Sequence, residues 1–348
     1  MTIAVHISAS KNPAASYLYQ LATRFAAQNP EDHVLILYSS KAAPTKLPAN
    51  CTPVKVSPGI RNSLLLHYWF NYKLPLLLKR YAAEVFLTDA ASLSQKTSIP
   101  QFLVFDSPVF PLAKDNKFRR YLTRFLPEFC RMAKGIIVPS RFVSENIIAT
   151  HDFLAGKIHV IPYGINPVFR PVSWSNKEAF IEAFTSGKDY FLFQVNDASR
   201  PNLLAVIKAF SQFKKWQKSS IQLVLMTDEV MHNPVPNFDT YKYREEVHTI
   251  VPEDDQHRAN ITGCAYGLIH LPTTYQVKNV AIEAMECDVP VIGAQADFLV
   301  RDLENAALFT DPTDHSIAEK MMLLYKDENL RATLLENGRR LAQQHQWT

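Results

Sequence analysis

The sequence predicts an α/β fold of two doubly wound units, each on its own parallel sheet. Three observations carry this. Short apolar runs alternate with helical patterns from end to end, as parallel α/β layers require. The alternation restarts midway at Tyr190-Phe-Leu-Phe-Gln-Val195, after a stretch holding Pro167, Pro171 and Gly187. The length, 348 residues, gives each half enough chain for a core of its own.

In the first half, strands are expected near residues 3–7, 34–38, 85–87, 102–105 and 135–138. Helical patterns fall near 15–28, 63–81, 117–133 and 141–150, and the segment 158–167 closes the half. The second half gives a strand near 190–195, a helix near 202–216 and strands near 221–226 and 268–271. A helix–strand pair through 280–293 follows. The expected boundaries are therefore 1–167 for the first domain, 168–188 for a hinge and 189–348 for the second domain. Two such units facing each other place a ligand cleft outside the carboxyl ends of the strands.

Hydrophobic content of 47% and charged content of 20% suit a soluble globular protein. Cys51, Cys130, Cys264 and Cys287 show no C-x-x-C spacing, so neither a disulfide frame nor a zinc site is indicated. The first strand has no basic leader, and no run is long enough to cross a bilayer, so a cytoplasmic protein is expected. The net charge of +4 hides an asymmetry: residues 1–170 carry 20 Lys and Arg against 9 Asp and Glu. The remainder carries 17 against 24. A basic first half suits an anionic acceptor or the inner face of a membrane, and a solvated basic face explains it equally well. Nothing in the pattern points to nucleic acid.

Residues 265–290, AYGLIHLPTTYQVKNVAIEAMECDVP, run from a buried strand through a polar loop into a helix carrying Glu283-Ala-Met, then return as a strand. The segment resembles the donor-binding core of retaining GT-B glycosyltransferases of glycosyltransferase family 4, where it reads roughly PSxxEGFGxPxxEAMAxGxPV. Laid on that pattern without a gap, Glu283 falls on the second glutamate, Tyr275 on the first and Gln276-Val277-Lys278 on Gly-Phe-Gly. The resemblance extends over nearly the whole chain. Ala133-Lys-Gly-Ile-Ile-Val-Pro-Ser-Arg-Phe142 is similar to A-x-x-I-x-x-x-S-x-F, and Lys157-Ile-His-Val-Ile-Pro-Tyr-Gly-Ile-Asn166 to K-I-x-V-I-x-N-G-V-D. Pro201-Asn202-Leu203, Ala306-Ala307-Leu308, Leu330-Arg331 and Trp347 continue the match in order.

The resemblance implies a GT-B fold, two Rossmann-like domains across a cleft. It implies transfer of a hexose, with retention, from a nucleoside-diphosphate sugar to a saccharide or lipid-linked acceptor in polysaccharide or cell-envelope assembly. The leaving β-phosphate would help deprotonate the acceptor, and neither metal nor other cofactor is expected. Glu283 is then the ribose ligand. Arg200 and Lys278 are the phosphate cations, since charge developing on the leaving diphosphate needs cations or N–H groups aimed at it. Asn196, on the loop before Arg200, and Tyr275 join them as donor-side candidates. Asp106 is the candidate beside the acceptor.

Departures from the family are concentrated at the contacts. Val195 and Pro201 stand where a glycine and a lysine are expected, and Phe105-Asp106 where the family has His-Asp. The turn after the first strand, Ser8-Ala-Ser-Lys-Asn-Pro-Ala14, has no glycine, leaving Ser10 or Asn12 as helix caps. A second reading follows: a pseudo-glycosyltransferase kept as a binding or regulatory scaffold for a protein partner. Two further stretches stay open between surface and partner roles. The basic run Lys117-Phe-Arg-Arg-Tyr-Leu-Thr-Arg124 is a solvated face or an acceptor contact. Residues 61–80, rich in Leu with Trp69 and Phe70, are a packed helix or a membrane-docking one. Family members also continue past the position of Trp347 into a helix crossing back to the first domain, which is expected to be missing here.

Overall fold

The computed structural model describes residues 1–8, 16–39, 43–44, 47–56, 62–108, 116–229, 231, 234–278 and 280–347, with the backbone alone for 116–119. Two compact units appear, Met1–Pro162 and Tyr163–Thr348. The expected caps Ser10 and Asn12, and the side chains of Lys117 to Arg119, lie outside the described residues.

In the first unit the strands are β1 (Thr2–Ile7), β2 (His33–Tyr38), β3 (Cys51–Lys55), β4 (Val85–Thr88), β5 (Gln101–Val104), β6 (Gly135–Val138) and β7 (Ile158–Val160). The helices are α1 (Tyr17–Gln28), α2 (Ser63–Tyr68), α3 (Leu74–Arg80), α4 (Asn116–Met132) and α5 (Arg141–Thr150). All pairings are parallel, in the order β3-β2-β1-β4-β5-β6-β7. Strands covered on both faces become near-continuous apolar runs, which is why Val34 to Leu37 are all buried.

The second unit carries α6 (Trp174–Thr185), β8 (Tyr190–Val195), α7 (Leu203–Trp216), β9 (Gln222–Thr227), β10 (Val247–Ile250), α8 (Asp255–Gly263) and β11 (Gly267–His270). It continues through α9 (Val280–Glu286), β12 (Val291–Ala294), α10 (Asp297–Leu303), β13 (Ala307–Thr310), α11 (Asp314–Lys326) and α12 (Glu328–Gln343). Its parallel sheet runs β10-β9-β8-β11-β12-β13. The core centres on Tyr190 to Phe193 of β8, which have no exposed surface.

Both sheets therefore reverse their winding once, between β1 and β4 and between β8 and β11. Such switch points open a crevice at the carboxyl edge of an α/β sheet. Helix starts are fixed by capping side chains: Ser140 accepts the Val143 N–H, Asp254 that of His257, Thr313 that of Ser316 and Asp327 that of Leu330.

Three features depart from the expectations. The segment 168–188, expected as a hinge, contains the helix α6, which the sequence pattern did not indicate, and its Ile181 belongs to the second core. The helical stretch 63–81 is interrupted by a π turn over Trp69–Lys73. The edge strands β3 and β10 were not expected; β3 contains Pro53, which an edge strand tolerates because its N–H side needs no ladder partner.

Candidate active site

In the second unit Asn196, Arg200, Tyr275 and Lys278 sit on the two loops that flank the β8/β11 switch point, and Glu283 lies on the helix α9 that follows. After Val195 the chain turns through 196–202 before entering α7. Asn196 builds that turn: its Oδ1 accepts the N–H groups of Ala198 and Ser199, each at 3.0 Å. Ser199 Oγ accepts the Asn196 N–H at 2.9 Å and donates to the Gln194 carbonyl at 2.6 Å. An Asx turn thus replaces the glycine of the family pattern, because the side chain supplies the turn bonds. The turn is tied to the β11 loop. Thr273 donates its N–H and hydroxyl to the Ala198 carbonyl, at 2.8 and 2.9 Å, and Asn202 Nδ2 donates to the Leu271 carbonyl at 2.8 Å.

These loops and the one after β9 line an open cavity of about 680 Å3. That volume suits a small-molecule ligand. Arg200 is the only cation among its described lining residues, and Asp197, Asp228 and Glu229 are its carboxylates. Thr274 and Gln276 add polar groups from the β11 loop. The acids after β9 were missed in the sequence. The signal available was two carboxylates directly following a buried strand whose neighbours carry the motif.

Lys278 and Glu283 meet each other, not the cavity. Lys278 Nζ lies 3.0 Å from Glu283 Oε1 and 5.8 Å from the centre of the Phe169 ring. Glu283 is buried in α9, and that burial raises its carboxyl above the ordinary range, with Lys278 and Arg258 pulling it back. Tyr275 packs edge-on against Phe298, ring centres 6.2 Å apart. One glycine of the family pattern is Asp288 here, at φ 60°. Asp is among the few side chains tolerating this left-handed backbone, and Arg339 Nε holds its carboxylate at 2.6 Å.

In the first unit Asp106 follows β5, exposed at the carboxyl edge of the sheet. Phe105, at the family's histidine, is buried in the core. Asp89 directly follows β4 at the switch point, where its Oδ1 accepts the Ser8 N–H at 2.6 Å. Burial pushes the Asp89 carboxyl up to about 6, and the Asp106 charge adds to the effect. Burial also raises Asp106, which is hemmed in by protein although its surface is reached by solvent. Asp89 was missed in the sequence; an acid immediately after a strand pairing with β1 was the available signal.

Other motif residues are structural. Lys157 Nζ donates to the carbonyls of Arg131 at 2.5 Å and Ala133 at 3.0 Å, closing the carboxyl end of α4. A Cβ on Gly164 would collide with the ring of Trp347, so the glycine leaves room for a side chain from the other end of the second unit's sequence.

Residues 14–169 match the family profile described as Glycosyltransferase Family 4. Among curated proteins nothing matches the sequence. Solved structures are similar in fold along the whole chain. A glycosyltransferase from Rickettsia africae has a TM-score of 0.74 at 15% identity, covering 99% of this chain and 93% of its own. Sucrose-phosphate synthase from Thermosynechococcus elongatus gives 0.71 at 18%, covering 100% and 96%. HepE of Anabaena, in complex with UDP and glucose, gives 0.70 at 15%, covering 99% and 95%. The two parallel-sheet units are those of the GT-B glycosyltransferase fold.

Proposed function

We propose that the chain is a glycosyltransferase that moves a hexose, with retention, from a nucleoside-diphosphate sugar to a saccharide or lipid-linked acceptor. The place assigned to it is polysaccharide or cell-envelope assembly. The observation that carries this reading is the cavity at the β8/β11 switch point, lined by the loops on which the resemblance places the donor-side candidates Asn196 and Arg200. The profile match over residues 14–169 supports it, as does the bound UDP and glucose of the Anabaena relative in fold.

In this reading Arg200 faces the diphosphate and takes the charge that develops as the glycosyl bond breaks. Gln276 presents its amide to the sugar hydroxyls. Glu283 reaches the ribose only when Lys278 yields, because both hold each other at 3.0 Å. Asp106 and Asp89 stand on the acceptor side. The leaving phosphate accepts the acceptor proton, so the reaction takes no cofactor.

A second reading, a scaffold without transfer activity, is favoured by one specific observation. The lining sets Asp197, Asp228 and Glu229 against Arg200 alone, and carboxylates repel a diphosphate. Calorimetric titration with UDP, GDP and ADP separates the two. Micromolar binding that weakens about tenfold or more in Arg200→Ala upholds the transferase, the loss expected for one charge-assisted contact. A folded protein that binds none of the three is a scaffold.

A further inference from the structure

We propose that the outer face of the helical stretch 63–80 rests in the headgroup layer of a bilayer rich in anionic phospholipid. One face of this stretch belongs to the core, through Leu66, Trp69, Phe70, Leu74 and Leu78. The opposite face carries Leu64, Tyr68, Tyr72 and Leu76, which are 81, 45, 56 and 68% exposed. Four large apolar or aromatic side chains at intervals of four are left in solvent on one element.

The π turn makes them one stripe. In an unbroken α-helix each step of four residues advances about 40°, so the four would fan out through about 120°. A π turn takes more residues per turn, so across Trp69–Lys73 the advance is cancelled. The rings of Tyr68 and Tyr72 consequently stack, with centres 5.8 Å apart and planes 22° from parallel. The same turn buries Asn71, whose Oδ1 accepts the Gln95 N–H at 2.8 Å, so the register is pinned from beneath.

The charge around the stripe selects the partner. Lys73, Lys79 and Arg80 are exposed along it, and no Asp or Glu occurs between Asp32 and Glu84. The adjoining α4, packed against α2, exposes Arg120 and Arg124. An apolar stripe with tyrosines at its middle and basic borders is the arrangement that lies in a charged interface. Glu128 of α4, which accepts from Gln95 Nε2 at 2.9 Å, is an exposed acid beside it, so the border is predominantly and not wholly basic; that excess favours anionic lipid over a second copy of this chain.

The test is co-sedimentation of the full chain with phosphatidylcholine vesicles, with and without phosphatidylglycerol. Binding to the phosphatidylglycerol vesicles, weakening as salt is raised, is expected. Leu64→Ser/Leu76→Ser should lower it about tenfold or more, since two exposed leucines carry much of the inserted area. Lys73→Gln/Lys79→Gln should reduce the preference for anionic vesicles and leave the melting temperature unchanged. Absence of wild-type binding, or binding indifferent to both variants, overturns the proposal. So does a dimer abolished by Leu64→Ser/Leu76→Ser in protein that ignores vesicles, which would assign the stripe to a second copy.

Discussion

The buried carboxylate of Glu283 is tolerable because Lys278 sits against it at 3.0 Å with its own side chain about a third exposed. Removing the lysine alone leaves a buried charge unpaired, a strongly destabilising change. Lys278→Ala is expected to lose about 2 kcal/mol of stability, below the fully buried range because water reaches the pair. Adding Glu283→Gln should restore most of it. A urea double-mutant cycle reads both numbers, and additive losses would mean the pair is not coupled. Gly164 gives a second residue-scale expectation. Gly164→Ala forces Trp347 off its seat, where the indole also meets Tyr163 edge-on at 5.8 Å. Overpacking of this kind costs about 1–3 kcal/mol, and a shift in tryptophan emission should accompany it. An unchanged spectrum would remove Trp347 from the explanation.

Among the elements, the π turn carries one buried amide, that of Asn71. Asn71→Leu is nearly the same size but deletes the acceptor of the Gln95 N–H. The orphaned donor costs about 1–3 kcal/mol, so a clear drop in the urea midpoint is expected. Wild-type stability in that variant would show the turn to be held by packing around Trp69 and Phe70. The same region marks the limit of what the chain spells out. Strands covered on both faces, such as β1, β2, β8 and β9, were legible as apolar runs. The edges were not: Pro53 interrupts β3, and β10 is Val-His-Thr-Ile with only Val247 well buried. Helix α6 was hidden among the Pro and Gly residues that bracket it, and a π turn leaves no mark in an apolar periodicity. At the candidate site, Arg200 and Asn196 were legible because the family pattern pointed at their loop. The pairing of Lys278 with Glu283 was not, since it depends on a rotamer choice between two residues five apart. Asp89, Asp228 and Glu229 required knowing which strands are neighbours.

Over the whole molecule, ionisation opposes itself. Each unit encloses a neutral histidine: burial holds His6 in β1 down at about 3 and His270 at the end of β11 down at about 4. In the unfolded chain both take up a proton below about pH 6.5. Stability from keeping them neutral is therefore present above that pH and is lost as pH falls towards 4. Asp89 has the other sign. Its folded carboxyl titrates at about 6 against an unfolded value near 3.8, so its ionisation weakens the folded state as pH rises through that window. In the first unit the two effects partly cancel. Urea unfolding at pH 5 and pH 8 should accordingly find the wild type weaker at pH 5. His6→Leu should shrink the difference by roughly 2 kcal/mol, whatever it does to the absolute level, because one proton uptake is removed. Asp89→Asn should enlarge it by roughly 1 kcal/mol, because the opposing group is gone. The signs are the test: two substitutions in one unit, a few residues from the same switch point, must move the pH slope in opposite directions. A shift in the same direction would mean that at least one of these groups is not held in the state its burial dictates.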